Sequence, residues 1–268
     1  MGAAIDTVLC IHSFSSSARQ YRSLAARLEP RFKVVAADLY GHGERGPWQG
    51  QGRFTISDEA SPIEEQISGS SAVHLVAHSY GATVALHIAG RHRSRIRSMA
   101  FYEPSIWGTL AALLPGDPAT LEIETVRDDT IRLIELGEME AAAGRFIDYW
   151  VGAGAWAATP PERRPRIVAT VRSLREGWHA AFSEPWTADA LRSLDIPCLL
   201  MTGSRSTAAA RRALRLVRET LPRTQVIEFE GLGHLGPITH PERVDDAVEA
   251  FLSERSQPWV QSSRLRTA

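Results

Sequence analysis

Apolar and polar residues follow two rhythms along this chain. Six short, nearly continuous apolar runs, at 7–11, 32–37, 73–77, 97–102, 197–202 and 225–229, have the length and composition of strands buried on both faces. Between them the period lengthens. Tyr21, Leu24, Ala25 and Leu28 fall at i, i+3, i+4 and i+7, one stripe of a helix. Ser17-Ala18-Arg19-Gln20 reads as a capping box opening that helix, and Ser61-Pro62-Ile63-Glu64 as a second box for a short helix to about Ser68. Further helices are predicted at 208–221, with Arg211, Arg212 and Arg215 on the wet face, and at 241–251. Strands alternating with helices predict an α/β fold: a mostly parallel sheet of about six strands with helices on both faces.

The alternation stops between 104 and 195. That segment is helical in pattern, with breaks at Pro115-Gly116-Asp117-Pro118, Gly137, Gly152-Ala153-Gly154 and Pro160-Pro161. It is too long for a plain loop and predicts a helical lid inserted into a core formed by 1–103 and 196–255. Five of the seven tryptophans fall there (Trp107, Trp150, Trp156, Trp178, Trp186), enough bulky apolar surface to suggest a small core of its own. The Gly- and Gln-rich stretch through Arg53 predicts a mobile loop, and 256–268 a polar, loosely held tail.

Composition narrows the class. At 268 residues, 44% hydrophobic and 23% charged, the chain reads as a soluble globular protein. A formal net charge of −1 gives no reason to expect a nucleic-acid partner. Lys33 is the one lysine, a bias of GC-rich, bacterial coding. No apolar run reaches ~18 residues and the N-terminus lacks a basic leader, so neither a membrane span nor a signal peptide is expected. Cys10 and Cys198 sit in apolar runs, as buried free thiols in a reducing, cytoplasmic setting would, a disulfide being the second reading.

One stretch carries candidate chemistry. The apolar run at 73–77 leads into Ala77-His78-Ser79-Tyr80-Gly81, followed by a helix-forming segment. A strand–turn–helix of this kind needs small residues two places either side of its centre, and Ala77 and Gly81 supply them. It lifts Ser79 to the carboxyl end of the strand, beside the free N–H groups of a helix N-terminus. Sites of parallel α/β sheets form at that end. Loops after the first, third, fourth and sixth strands bring Phe14, Ser79, Glu103 and His234 there. A serine needs a base to accept its proton, the base an orienting carboxylate, and the developing oxyanion two N–H donors.

With His12-Ser13-Phe14, Asp38 followed by Gly41-His42-Gly43, the Ser79 turn, and Gly233-His234 with His240-Pro241-Glu242, the chain resembles the α/β-hydrolase superfamily over nearly everything outside the lid. The resemblance implies Ser79 as nucleophile, His234 as general base, and the backbone N–H groups of Phe14 and Tyr80 as oxyanion hole. Three departures stand out. The usual His-Gly after the first strand is His12-Ser13, which makes Ser15 a second option for the oxyanion donor. The chain starts at the strand that relatives count as third, so the edge hairpin is missing. The loop after Gly203, where relatives carry the triad acid, reads Ser204-Arg205-Ser206-Thr207-Ala208, with no carboxylate before Glu219. Some relatives place the acid after the preceding strand, where Glu103 stands. Glu103 is therefore assigned as the acid, the alternative being a structural carboxylate capping the lid hinge; Asp195 and Glu230 are weaker options.

The other histidines read as structural: His78 behind the turn, His74 and His87 on core elements, His92 and His179 solvated or lid-bound, His12 shaping its loop. No cluster has metal-ligand spacing, and no cofactor is expected. Trp107, Ser15 and Leu235 are candidates for the pocket wall. The expected activity is hydrolysis of a small to medium, largely apolar acyl substrate, most of all a carboxylic ester, with thioester, lactone and C–C bond hydrolysis behind it. The serine argues against the dehalogenase and epoxide chemistries of relatives with an aspartate nucleophile. The alternative is a non-catalytic small-molecule receptor or pseudoenzyme. Monomer and homodimer are both compatible with the sequence.

Overall fold

The protein, seen in a computed structural model that describes residues 5–29 and 31–255, is built on one parallel sheet. In chain order the elements are β1 (Thr7–Ile11), α1 (Arg22–Leu28), β2 (Lys33–Ala37), α2 (Ile56–Gln66), β3 (Val73–His78), α3 (Tyr80–Arg91) and β4 (Ile96–Tyr102). Seven helices follow before the next strand: α4 (Trp107–Leu113), α5 (Pro118–Glu135), α6 (Met139–Val151), α7 (Ala155–Ala158), α8 (Arg164–Val171), α9 (Leu174–Ser183) and α10 (Ala188–Ser193). Then come β5 (Cys198–Gly203), α11 (Ala208–Thr220), β6 (Thr224–Phe229), α12 (Gly236–Thr239) and α13 (Pro241–Arg255). The six strands lie in the order β2-β1-β3-β4-β5-β6, every neighbouring pair parallel.

The period of two divides each strand between two cores. Leu9, Ile11, Leu75, Met99 and Phe101 pack on the side of α2, α3 and α11. Val8, Cys10, Val76, Ala100 and Tyr102 pack on the other side, with Leu24 and Leu28 of α1 and Val244, Val248 and Phe251 of α13. Helices thus cover both faces, as the uninterrupted apolar runs require. Cys10 and Cys198 are buried free thiols.

Both proposed capping boxes are corrected. Ser17 has extended backbone and makes no side-chain cap; it precedes a 3₁₀ turn, Ala18–Tyr21, and α1 begins only at Arg22. The Ala18 N–H is instead met by Asp38 Oδ1 at 2.7 Å, a partner from a distant loop that local sequence cannot reveal. The second helix starts earlier than Ser61, at a box formed by Thr55 and Asp58, and carries Pro62 within it. The stretch 41–53 is irregular, with Gly41, Gly43 and Gly52 at positive φ, yet it is tied down through Glu44 N–H to Asp38 Oδ2 (3.0 Å) and by buried Phe54. The 256–268 tail lies outside the described residues.

The helical insertion has no separate core. Its Trp107, Leu110, Ile123, Val126, Phe146, Trp150 and Trp178 belong to one apolar cluster with the α2/α3 side of the sheet. The reason is close contact: a Cβ on Gly90 of α3 would come within 2.7 Å of the Trp186 ring, so the insertion sits directly on α3.

Candidate active site

Ser79 joins β3 to α3 with φ 55 and ψ −122, a conformation that costs a non-glycine residue about 1–3 kcal/mol. Gly81 lets the turn approach β1: a Cβ there would lie 2.4 Å and 2.5 Å from the carbonyl oxygens of Ile11 and His12. Among the described residues, the non-glycine residues with positive φ are Ser15, Ser79 and Glu103. All three sit at the carboxyl end of the sheet, at the ends of β1, β3 and β4.

The side chains meet there. Ser79 Oγ lies 3.0 Å from His234 Nε2, and His234 Nδ1 lies 2.6 Å from Glu103 Oε2. All three residues are buried. Burial pushes the Glu103 carboxyl up, but the His234 hydrogen bond and charge, with hydroxyls from Ser206 and Thr202, more than offset it and hold the group below its ordinary range. It therefore stands as a carboxylate, accepting from Nδ1–H and leaving Nε2 free to accept the serine proton.

Glu103 is held by the strand next door. Its Oε1 accepts from Thr202 Oγ1 (2.9 Å), from the Gly203 N–H (3.3 Å) and from Ser206 Oγ. The loop that lacks a carboxylate thus supplies hydroxyl donors to one. Thr202 and Ser206 were not singled out in the sequence, although two hydroxyls beside a missing acid were a usable signal. Asp195 pairs instead with Arg223 at 3.9 Å, and Glu230 offers its carbonyl to Arg243; neither side chain joins this group.

His234 is fixed from below and above. Its carbonyl accepts from His78 Nε2 at 2.9 Å, and the Gly233 carbonyl accepts from the Tyr102 hydroxyl at 2.8 Å. Burial holds the His78 pKa well below its ordinary value, so the ring is neutral. Trp150 stacks on the His234 ring with centroids 3.9 Å apart.

The N–H groups of Phe14 and Tyr80 have no hydrogen-bond partner among the described residues. That of Ser15 is taken by His42 Nε2 at 3.1 Å, and His42 Nδ1 donates to the Tyr40 carbonyl at 2.8 Å. His12 acts alike, with Nδ1–H to the Ser13 carbonyl (2.7 Å) and Nε2 accepting from the Leu39 N–H (3.1 Å); burial lowers its pKa to about 3. These two rings shape the loop that presents Phe14. One further neighbour escaped the sequence: Ser105 Oγ lies 3.0 Å from Ser79 Oγ.

Ser79 and His234 open into a cavity of about 640 Å³ whose walls include Phe146, Ile147, Trp150 and Ile167 of the insertion, together with Ser15 and Leu235. Trp107 is not in its wall. It stacks behind Trp150 (6.2 Å), and Trp150, one layer nearer the serine, lines the space instead. Among the described residues no three His, Cys, Asp or Glu side chains are grouped to hold a metal.

Comparison with known proteins agrees with this architecture. Residues 8–247 match the family model described as the alpha/beta hydrolase family. A pimeloyl-[acyl-carrier protein] methyl ester esterase of Neisseria meningitidis is 24% identical over 258 residues, covering 90% of this chain and 91% of its own. A hydrolase from Pseudomonas aeruginosa superposes with a TM-score of 0.75 at 21% identity, covering 94% of this chain and 92% of that one. The carboxylesterase CesB of Bacillus subtilis superposes with a TM-score of 0.71 at 19% identity, covering 94% and 85%. At these identities the solved structures speak for the fold.

Proposed function

The chain belongs to the alpha/beta hydrolase family, and on that basis we propose that it is a serine hydrolase acting on a small to medium, largely apolar carboxylic ester. What carries this is the run of contacts from Ser79 Oγ through the His234 ring to the Glu103 carboxylate, beside the N–H groups of Phe14 and Tyr80, which have no partner among the described residues, with Ser79 and His234 in the wall of a cavity. His234 Nε2 takes the Ser79 proton as Oγ attacks the carbonyl carbon. The oxyanion forms against the N–H groups of Tyr80 and Phe14. His234 then returns the proton to the leaving alcohol, leaving an acyl-enzyme on Ser79, and the same base activates the water that releases the acid. Trp150, stacked on the imidazole, excludes water from one side of it.

The apolar walls supplied by Phe146, Ile147, Trp150, Ile167 and Leu235 favour an apolar acyl group, and the relatives named as esterases favour an ester over a thioester, lactone or C–C bond. The insertion acts as the lid over this cavity. Buried free Cys10 and Cys198 suit a reducing, cytoplasmic setting.

The test is a fluorophosphonate probe with mass-spectrometric mapping of the adduct. A stoichiometric adduct on Ser79, absent from Ser79→Ala, is expected, and ester turnover should fall by roughly 10⁶ when Ser79 or His234 is replaced. No adduct on folded protein would overturn the reading in favour of a non-catalytic binding module.

A further inference from the structure

A second cavity, of about 390 Å³, lies where the 40–54 loop meets α8 and α9, and it shares one wall, Phe14, with the reactive cavity. Its other walls include Tyr40, Trp48 and Phe54. The three rings lie at angles to one another, Tyr40 edge-on to Phe54 at 6.0 Å and Trp48 tilted against it at 5.2 Å, an arrangement open to a further flat ring. The volume falls within the ordinary range for small-ligand sites.

Two arginines face this space. Arg45 lies over the Tyr40 ring at 5.0 Å, and its Nη1 is buried without a hydrogen-bond partner among the described residues. Arg172, on the insertion side, makes no ion pair or side-chain hydrogen bond among the described residues. A buried guanidinium nitrogen left unpaired is costly, so Arg45 Nη1, with the exposed Arg172 at the rim of the same space, calls for an anion. The two carboxyl groups in the wall answer them only in part: Glu59 feels the Arg45 charge, yet Arg45 Nη1 has no hydrogen-bond partner among the described residues. Glu176 is engaged with Arg175 at 3.6 Å. Glu59 accepts from the Tyr40 N–H (2.9 Å) and the Tyr80 hydroxyl (3.4 Å), and burial raises its pKa to about 7, which leaves much of it uncharged at neutral pH.

We infer that this cavity is a binding site for a small aromatic carboxylate, its ring among Tyr40, Trp48, Phe54 and Phe14 and its carboxylate on Arg45 and Arg172. Planar carboxylates match the guanidinium fork better than point-like anions do. The site also reaches the reactive serine. Phe14 stacks on Tyr80 at 4.1 Å, and the Tyr80 hydroxyl rests on Glu59. A ligand touching Phe14 and Glu59 therefore presses on the two residues whose N–H groups flank Ser79. The coupling, but not the binding, rests on Ser79 being the nucleophile.

Isothermal titration with benzoate tests the site, with benzyl alcohol and inorganic phosphate as comparators, on the wild type and on Ser79→Ala so that binding is read without turnover. One-to-one benzoate binding with Kd at or below about 1 mM is expected. Benzyl alcohol and phosphate should each bind at least about tenfold more weakly. Arg45→Gln should lose about tenfold, and so should Arg172→Gln; Arg172 is exposed, so its variant keeps the fold. Arg166→Gln, in the wall of the reactive cavity, should bind as wild type does. Absence of saturable binding, equal affinity for the alcohol or for phosphate, or dependence on Arg166 in place of Arg45 and Arg172 would each overturn the site. Benzoate should also change the rate at which fluorophosphonate labels Ser79 in the wild type by at least about twofold. An unchanged rate alongside demonstrated binding would overturn the coupling alone.

Discussion

Glu103 and His234 stand 131 positions apart in the chain, and their side chains meet at 2.6 Å between Oε2 and Nδ1. The acid comes from the end of β4, one strand from the serine, and the imidazole from the loop after β6. What lies between them in space is the end of β5, which contributes donors to the acid.

Replacing Glu103 with Gln should lower turnover of a chromogenic ester by about 10⁴, because an amide donating to Nδ1 forces the proton onto Nε2 and removes the base. The folded structure should persist, as judged by circular dichroism. An unchanged rate would make Glu103 a structural carboxylate.

Ser206 donates to the same carboxylate, so Ser206→Ala should destabilise the protein by about 1.5–3 kcal/mol. It should also shift the acid limb of the rate profile upward in pH. Losing a donor raises the Glu103 pKa, and the group then becomes protonated, and inactive as an orienter, at a higher pH. A melting curve and a pH–rate profile measured together check both effects; a fall in stability with an unmoved acid limb would show that Ser206 serves packing alone.

Glu59 gives a pH dependence of the opposite kind from an ordinary ion pair. Burial raises its pKa from 4.5 to about 7, against the lowering influence of the Tyr40 N–H, Arg45 and the Tyr80 hydroxyl. Between those values the folded protein keeps a proton that the unfolded chain has released. Its contribution is full below about pH 4.5, declines as pH rises, and is gone above about pH 7. Glu59→Gln, which cannot ionise, should match the wild type near pH 5 and exceed it near pH 8, by up to about 3 kcal/mol. Parallel melting-temperature curves across that window would refute the shift.

Gly81→Ala places a methyl group against two carbonyl oxygens at the end of β1. Backbone cannot swing aside as a side chain can, so a loss of about 1–3 kcal/mol is expected, together with slower fluorophosphonate labelling as the turn is pushed off its geometry. Chemical denaturation and labelling kinetics on the same preparation would show both.

The sheet was legible because its four inner strands, β1, β3, β4 and β5, are buried on both faces and announce themselves as apolar runs; the expectation of burial on both faces is corrected for the edge strands β2 and β6, which lack a neighbour on one side and are partly exposed. All six lie within a residue or two of their expected positions, and Ser79, Glu103 and His234 meet as the alternation of strands and helices implies. What stayed hidden depended on contacts from far along the chain. The Ala18 N–H is capped by Asp38, a residue 20 positions away, so a plausible local box at Ser17 misled. Trp107 and Trp150 carry the same apolar signal. Only the packing of α4 behind α6 determines that Trp150 covers His234. The separate core expected of the insertion failed for a related reason: periodicity reveals which face of a helix is apolar, but not which neighbour covers it.

The placement of the acid has a bearing on how such a protein can diversify. Glu103 precedes the first residue of the insertion, and Thr202, Gly203, Ser206 and His234 all follow its last. Ser79, His234, Glu103 and the donors to Glu103 are therefore anchored to the sheet, whereas Ser105, beside the Ser79 hydroxyl, and Phe146, Ile147, Trp150 and Ile167 belong to the inserted segment. Substitutions at these lining positions alter what is enclosed while the sheet holds the groups beneath them in register; the buried face that the same helices share with α2 and α3 is not free to change in that way.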